Sequence, residues 1–426
     1  MVTITVIGLG FVGLTTALGL AELGHKVYGY DANSDKMHRF SMGNIDVCEP
    51  YLEQKLKQHL NNSFVLCDNL YEMVVSSDCF FICVGSPCKE TGEADLQQVK
   101  DATSQILDKV PRDGKHRALV IKSTVPPGTC SNIIRPMLEE HNFNSDTIGL
   151  ASNPEFLREG VCWNDFINPG RIIVGSDDSR SITLLKQIYA PLNVPIYSLS
   201  TSGAEFSKYL SNVLLATLIS FSNEMAYAAK CFGNIDIVSA FESLHDDHRL
   251  KNSGISSYIY PGCGYGGYCL PKDIRAFTAA LNKAGYQSTL LETVTEINNN
   301  VIKRICDEIC KSIDGTNTIG VLGLAFKPET DDVREAAAYY IIKTLINNGF
   351  SNIVAYDPVA IGKFKEHYPE LSIEYASDAS RIINYADVIV ITTAWDEFKK
   401  LDFKKKRIVD GRYIIKKGEN SNENKI

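Results

Sequence analysis

The chain has 426 residues, 44% of them hydrophobic and 22% charged. That is the balance of an ordinary globular protein, and at about 150 residues per domain it holds two or three domains. The formal net charge of −8 argues against nucleic acid as a general partner, so a negatively charged ligand has to be met by local cations. No apolar run reaches the roughly 18 residues of a membrane span.

The N-terminal MVTITVIGLG reads as a strand over 3–7 running into a glycine turn, not as an export signal. A helix is expected over 11–23 and a second strand over 26–30, with further apolar strands at 79–84, 118–122 and 171–174. This alternation predicts a parallel sheet covered by helices on both faces. A helix-rich middle follows, with long amphipathic patterns over 204–231 and 290–313 interrupted by Gly- and Tyr-rich loop chemistry at 254–273. The last part repeats the first: a strand at 318–326, a helix at 334–348 and a strand at 352–357. VYGYDA near residue 30 is echoed by IVAYDP near 355, and SDCFFICVG by ADVIVITT, which marks a domain duplication rather than a solenoid. The expected domains are 1–200, 201–314 and 315–416, with a polar, disordered tail at 417–426.

Gly8-Leu9-Gly10-Phe11-Val12-Gly13 fits G-x-G-x-x-G, follows a strand, opens a helix and is trailed by Asp31 at the end of the next strand. That context, rather than the motif alone, predicts a dinucleotide site. The first glycine permits the turn, the second lets backbone approach a pyrophosphate, and the third lets helix and strand pack closely. Asp31 is expected to accept from a ribose 2′-hydroxyl, and no arginine follows it to neutralise a 2′-phosphate, so the expected cofactor is NAD rather than NADP. In the C-terminal copy Gly320, Gly323 and Phe326 break the spacing, so that domain is expected to bind a different nucleotide. The fold class is therefore α/β: two Rossmann-like open parallel-sheet domains joined by a long-helix central region, an arrangement in which a homodimer is expected.

The densest motif is Gly262-Cys263-Gly264-Tyr265-Gly266-Gly267-Tyr268-Cys269-Leu270-Pro271-Lys272-Asp273. Its glycines let backbone crowd a ligand. A thiol with a lysine three residues on is a candidate nucleophile, and the adjacent carboxylate a candidate base. Cys263 lacks the Pro-Lys-Asp that follows Cys269 and is the weaker candidate. Twelve cysteines without a C-x-x-C pair are expected as reduced thiols in a cytoplasmic protein, with Cys306 and Cys310 in the core. His245-Asp246-Asp247-His248 has poor metal-ligand spacing, and no metal is expected. The basic run 399–407 is interleaved with Asp402 and reads as a solvated edge. Trp163 and Trp395 read as packing residues.

GYGGYCLPKD, with KSTVPPGT (122–129), NPEFLREG (153–160), EFSKYLSN (205–212) and GLAFKPETDDVRE (323–335) in that order, resembles the UDP-glucose/GDP-mannose dehydrogenase family over essentially the whole chain. The resemblance implies an NAD-dependent four-electron oxidation of a nucleotide-sugar C6 alcohol to a carboxylate through a thiohemiacetal and a thioester on Cys269. It implies Lys208 as the oxyanion stabiliser, with Asn212 one helical turn beyond it, Asp273 and Thr124 holding the water, and Glu155 in the hydrolytic step. Around the cofactor it implies Val12, Asp31, Lys36, Ser86, Thr124, Glu159, Lys272 and Arg334. Around the nucleotide sugar it implies Glu155, Phe156, Leu157, Arg158 and Glu159, then Lys208, Asn212, Tyr258, Ile259, Tyr260, Pro261, Gly262, Gly266, Lys327 and Arg412. Arg249 is implied to reach a partner subunit's substrate. Asp247-His248-Arg249-Leu250 is more similar to the GDP-mannose branch, whereas Trp395-Asp396-Glu397-Phe398 and Asp410-Gly411-Arg412 are more similar to the UDP-glucose branch. UDP-glucose is favoured, with GDP-mannose or another UDP-sugar, such as the C4-epimer or a 2-acetamido sugar, as the alternative.

Overall fold

A computed structural model describes residues 1–45, 48–403, 406–415 and 423–424. The chain forms two compact units, Met1–Leu210 and Ser211–Ile426.

The first unit is built on eight strands: β1 (Thr3–Ile7), β2 (Lys26–Tyr30), β3 (Phe64–Leu66), β4 (Cys79–Ile82), β5 (Arg117–Ile121), β6 (Ile148–Ser152), β7 (Ile172–Ser176) and β8 (Ile196–Leu199). Their order is β3-β2-β1-β4-β5-β6-β7-β8. β1 pairs in parallel with both β2 and β4, so the strand order reverses beside the carboxyl end of β1, the place where open α/β sheets bind ligands. Every residue of β4 and β5 is buried, which requires helices on both faces. The side chains alternate accordingly: Cys79 and Phe81 enter one core, Phe80 and Ile82 the other. The expected all-parallel pattern fails at one pair, because β6 and β7 run antiparallel. The connection between them, residues 153–171, contains the short helix Cys162–Ile167.

The second sheet comprises β9 (Ile319–Leu322), β10 (Ile353–Tyr356), β11 (Glu374–Tyr375), β12 (Val388–Ile391), β13 (Arg407–Asp410) and β14 (Glu423–Asn424). Its order is β11-β10-β9-β12-β13-β14, the plan of the first six strands again. The repeat holds at single hydrogen bonds. Gly8 N–H donates to Tyr30 O at 2.8 Å, and Gly323 N–H to Tyr356 O at 2.8 Å. Leu9 N–H donates to Asp31 Oδ2 at 2.8 Å, and Leu324 N–H to Asp357 Oδ2 at 2.8 Å. Gly8 and Gly323 have φ of +86° and +103°, open to glycine at little cost.

The copies then diverge. After Gly10 the first helix begins at once, over Phe11–Glu22. The helix expected at 334–348 starts only at Ala337 and ends at Asn347. It cannot start earlier, because Glu335 has a φ of +50°, outside the helical region. The expected loop at 254–273 ends early as well: helix Cys269–Lys283 contains the candidate residues Cys269, Lys272 and Asp273. The long helices span Thr201–Phe232 and Thr289–Ser312. Of the tail at 417–426 only Glu423–Asn424 is described, as a two-residue strand beside β13; the expectation of disorder otherwise lies outside the described residues. Among the described residues no helix is long and apolar enough to cross a membrane.

Asp357 is 1% exposed and accepts five donors: Leu324, Ala325 and Trp395 Nε1 on Oδ2 at 2.8, 3.1 and 3.1 Å, and Val359 and Ala360 on Oδ1 at 3.0 and 2.9 Å. Trp395 is thus a donor as well as a packing residue. Asp357→Ala leaves these donors buried without an acceptor and is expected to lower stability by more than about 3 kcal/mol, against about 1 kcal/mol for Asp31→Ala. Urea unfolding of the two variants checks the ranking, which a larger loss at Asp31 would contradict.

Candidate functional site

The first unit presents a cradle at the carboxyl end of β1. A Cβ on Gly13 would lie 1.7 Å from the Gly8 carbonyl oxygen, so helix and strand meet there with no room for a side chain. A Cβ on Gly10 would meet nothing within 4 Å, which leaves open space above the N-terminus of helix Phe11–Glu22. Gly10 caps that helix without a side-chain acceptor, and its first turn has no acidic residue. Unpaired N–H groups and the positive end of the helix dipole therefore suit a phosphate. Asp31 Oδ1 accepts Asn33 N–H at 2.9 Å, and Oδ2 accepts Leu9 N–H and Lys36 Nζ at 2.8 and 3.1 Å. Asp31 retains acceptor capacity that the saturated Asp357 lacks, so the chain's own residues fit a dinucleotide in the first unit. Ser86 Oγ donates to the Thr124 carbonyl at 2.6 Å, tying the loops after β4 and β5 together.

The NPEFLREG stretch follows β6. Glu155 and Lys208 are both buried and form an ion pair at 2.9 Å. Glu155 Oε2 also accepts Leu157 N–H at 2.5 Å. The Phe156 ring lies under Lys208 Nζ at 5.5 Å and the Arg171 guanidinium at 4.4 Å. Arg158 is exposed and turned to Asp165 at 2.7 Å, away from this pair.

Two further buried charges stand here that reading the motifs did not single out. Lys122 donates to Asn153 Oδ1 at 3.1 Å and to its carbonyl at 3.3 Å. Burial pushes its ammonium down to about 8, opposed by the charges of Cys83 and Glu155. Glu205 accepts Gly128 N–H at 2.6 Å and Cys130 N–H at 2.8 Å, and burial pushes its carboxyl up. Lys122 opens KSTVPPGT and Glu205 opens EFSKYLSN, but nothing in either stretch marked its charge as buried.

In the second unit Asp273 is the hub. It is 1% exposed and accepts Lys272 Nζ and Asn212 Nδ2, each at 2.5 Å. Burial alone would lower the Lys272 pKa, but the Asp273 charge and hydrogen bond outweigh it and hold it above the usual lysine value. Cys269 is the first residue of helix Cys269–Lys283. Residues 269, 272 and 273 therefore share one helical face, and the thiol stands at the N-terminus of that helix. Cys263, in contrast, is buried, donates to the Gly411 carbonyl at 3.2 Å, and has its pKa raised by burial. All twelve cysteines are free thiols.

The glycine-rich loop before Cys269 is held on two sides. Asn298 accepts Tyr265 N–H at 2.7 Å and donates to its carbonyl at 3.1 Å, while Gly267 N–H donates to the Arg334 carbonyl at 3.0 Å. Arg334 lies over the Tyr268 ring at 4.3 Å and is paired with Asp332 at 2.7 Å. The 258–262 stretch is anchored by His245 against the Ile259 carbonyl at 2.7 Å and by Gly262 N–H on Asn223 Oδ1 at 2.8 Å. Tyr260 packs edge-on against Phe241 and Tyr413, and Pro261 is buried. Lys327 lies against the Phe326 ring at 5.5 Å. Arg412 donates to the Thr392 and Phe326 carbonyls at 2.6 and 3.1 Å. Arg249 is exposed and paired with Asp247 at 2.7 Å. Among the described residues no group of three or more His, Cys, Asp or Glu side chains could hold a metal ion.

Sequence profiles of the UDP-glucose/GDP-mannose dehydrogenase family match the chain in three parts: the NAD binding domain at 2–193, the central domain at 202–300 and the UDP binding domain at 320–417. The UDP-glucose 6-dehydrogenase AglM of Haloferax volcanii is 34% identical over 98% of both chains. A UDP-glucose dehydrogenase structure from Pyrobaculum islandicum superposes with a TM-score of 0.91 at 34% identity, covering 99% of this chain and 97% of that one. A UDP-D-ManNAc dehydrogenase structure from Pyrococcus horikoshii superposes with a TM-score of 0.86 at 26% identity, covering 99% and 98%.

The two cradle glycines separate folding from binding. Gly10→Ala is expected to melt within about 2 °C of the parent and yet to bind NAD⁺ at least about tenfold more weakly. Gly13→Ala is expected to lose stability outright. Calorimetry with a cofactor titration checks both, and full NAD⁺ affinity in Gly10→Ala would remove the pyrophosphate from this position.

Proposed function

The chain belongs to the UDP-glucose/GDP-mannose dehydrogenase family, and from that premise we propose that it oxidises the C6 alcohol of UDP-glucose to the carboxylate of UDP-glucuronate, with two NAD⁺ consumed and Cys269 as nucleophile. The observation that carries the reading is the buried chain Lys272–Asp273–Asn212 set on the helical face of Cys269. NAD⁺ supplies the hydride acceptor. The protein's own part is to hold and move charge. Lys208 stabilises the alkoxide and later the oxyanion as a fixed donor in a water-poor site. The Cys269 thiolate adds to the C6 aldehyde, giving a thiohemiacetal. Loss of a second hydride leaves a thioester, and water placed by Thr124, Asp273 and Asn212 adds to it. Collapse releases the carboxylate and returns the thiol, with Glu155 assisting the proton transfers.

On the substrate side, Tyr258–Gly262, Gly266, Lys327 and Arg412 hold the nucleotide sugar, along with Glu155–Glu159. For the cofactor the reading assigns Gly8, Gly10, Val12, Gly13, Asp31, Lys36, Ser86, Thr124 and Glu159, and also Lys272 and Arg334. Twelve free thiols suit a reducing cytoplasmic setting. A second reading, GDP-mannose as substrate, is favoured only by Asp247-His248-Arg249-Leu250. Assay of NADH formation with each sugar decides: two NADH per UDP-glucose and none from GDP-mannose are expected, with turnover falling by several orders of magnitude in Cys269→Ser while NAD⁺ still binds. One NADH per sugar, or full turnover in that variant, would end the covalent mechanism.

A homodimer belongs to the same reading. Phe206, Leu210, Leu214, Phe221 and Met225 are exposed and fall within one stripe of helix Thr201–Phe232, a face suited to a second copy. Arg249, exposed on the same chain, would reach the partner's substrate. Leu214→Asp with Phe221→Asp is expected to convert a dimer to monomer in sedimentation; an unchanged mass would place the contact elsewhere.

A further inference from the structure

Between β9 and helix Ala337–Asn347 the chain makes a loop whose last turn is strained. Glu335 has a φ of +50°, a left-handed conformation that costs free energy for a residue with a Cβ. The strained main chain meets the reactive-centre loop directly. A Cβ on Gly266 would lie 2.3 Å from the Glu335 carbonyl oxygen, so this carbonyl occupies the space that a side chain would need. The Arg334 carbonyl accepts Gly267 N–H at 3.0 Å, and the Arg334 guanidinium covers the Tyr268 ring at 4.3 Å. Three consecutive residues, ending immediately before Cys269, are thus shaped by residues 334 and 335.

The Glu335 carboxylate holds the strained turn in place. Arg275 Nη2 donates to Oε1 at 2.8 Å, and the Tyr340 hydroxyl donates to Oε2. Arg275 stands on helix Cys269–Lys283 and Tyr340 on helix Ala337–Asn347, so one carboxylate ties the helix that begins with the nucleophile to the helix after the strained turn. Both donors, Glu335 and Gly266 line a cavity of about 480 Å³. Packing alone therefore does not hold the loop on that side; the hydrogen bonds must.

We infer that Glu335 is a positioning residue for the reaction: its carboxylate, braced by Arg275 and Tyr340, latches the strained 334–335 backbone against Gly266–Gly267 and thereby fixes where the Cys269 thiol stands. It touches neither substrate nor cofactor in this role. The inference rests on the reading of Cys269 as nucleophile, and it is tested without relying on turnover alone. In hydrogen exchange on the full chain, Glu335→Ala and Arg275→Ala are each expected to speed exchange of the 264–270 segment at least about tenfold, while β9 keeps its parent protection. The double variant should add little to either single one. Glu335→Gln, which keeps one acceptor oxygen for one of the two donors and removes the charge, should restore part of the protection. With UDP-glucose, kcat is expected to fall about tenfold in Glu335→Ala, with the KM for NAD⁺ changed less than about twofold. Unchanged exchange at 264–270, or equal acceleration there and in β9, would overturn the latch. A parent protein inactive toward UDP-glucose would sink the proposed reaction instead, and the exchange result would still decide the latch.

Discussion

A carboxylate taken out of water must be surrounded by donors, and this constraint sets the geometry of both units. Asp357 gathers five donors from three segments of the second sheet. Asp273 gathers a lysine and an asparagine and so ties helix Thr201–Phe232 to helix Cys269–Lys283. Glu205 gathers two backbone N–H groups of the loop after β5. Glu155 is matched by Lys208 and a backbone N–H. Truncating one of these acids leaves its donors buried and unpaired, a larger loss than the net gain from any one hydrogen bond. The acids therefore hold elements that are far apart in sequence, and the candidate reactive groups stand on those elements.

The duplicated sheets show how one local design serves two ends. In both, a glycine at positive φ and an aspartate closing the neighbouring strand pin the loop that leaves the first strand. In the first copy the helix starts at once, its N-terminus is open, and Asp31 keeps acceptor capacity. In the second copy Trp395 and the 324–325 backbone saturate Asp357, and the helix is delayed to Ala337. The delay gives the second unit a loop from Ala325 to Ala336, which carries Lys327 and Arg334 and presses its own backbone on the glycines before Cys269. Losing the dinucleotide cradle and gaining the brace on the reactive loop are therefore one structural change.

Much of this was legible in the sequence, for identifiable reasons. The cradle could be read because its strand, turn, helix and acid are contiguous. The repeat could be read because VYGYDA and IVAYDP place the same acid after the same strand. Cys269, Lys272 and Asp273 could be read as a unit because they are neighbours, although the Gly-rich composition hid the helix on which they share a face. The helix start at 337 was misplaced because alanine-rich sequence favours helix from 334 onward, whereas a tertiary latch holds Glu335 left-handed. The antiparallel β6–β7 pair was missed because strand direction follows the tertiary path of the connection, which the residues of the strands do not report. Lys122, Glu205 and Asn298 escaped because their partners lie 31, 75–77 and 33 residues away, and no local pattern reports such pairs.

The charge balance brings these features together. With a net charge of −8 the chain does not attract a diphosphate by its overall field, and its candidate binding cations are not bare. Lys36 pairs with Asp31, Lys208 with Glu155, Lys272 with Asp273, Arg249 with Asp247 and Arg334 with Asp332; Arg412 is spent on carbonyls. Each of these five paired cations is held in place by an acid before any ligand arrives, so little side-chain entropy remains to be lost on binding. The same acids weaken non-specific attraction, because an arriving anion must compete with a carboxylate already in position. A phosphate that can approach along a helix N-terminus, where backbone N–H groups add to the cation, has the advantage over one that meets the cation alone. Specificity then depends on geometry that several elements must supply together, which is why the braces on those elements matter as much as the groups that face the ligand.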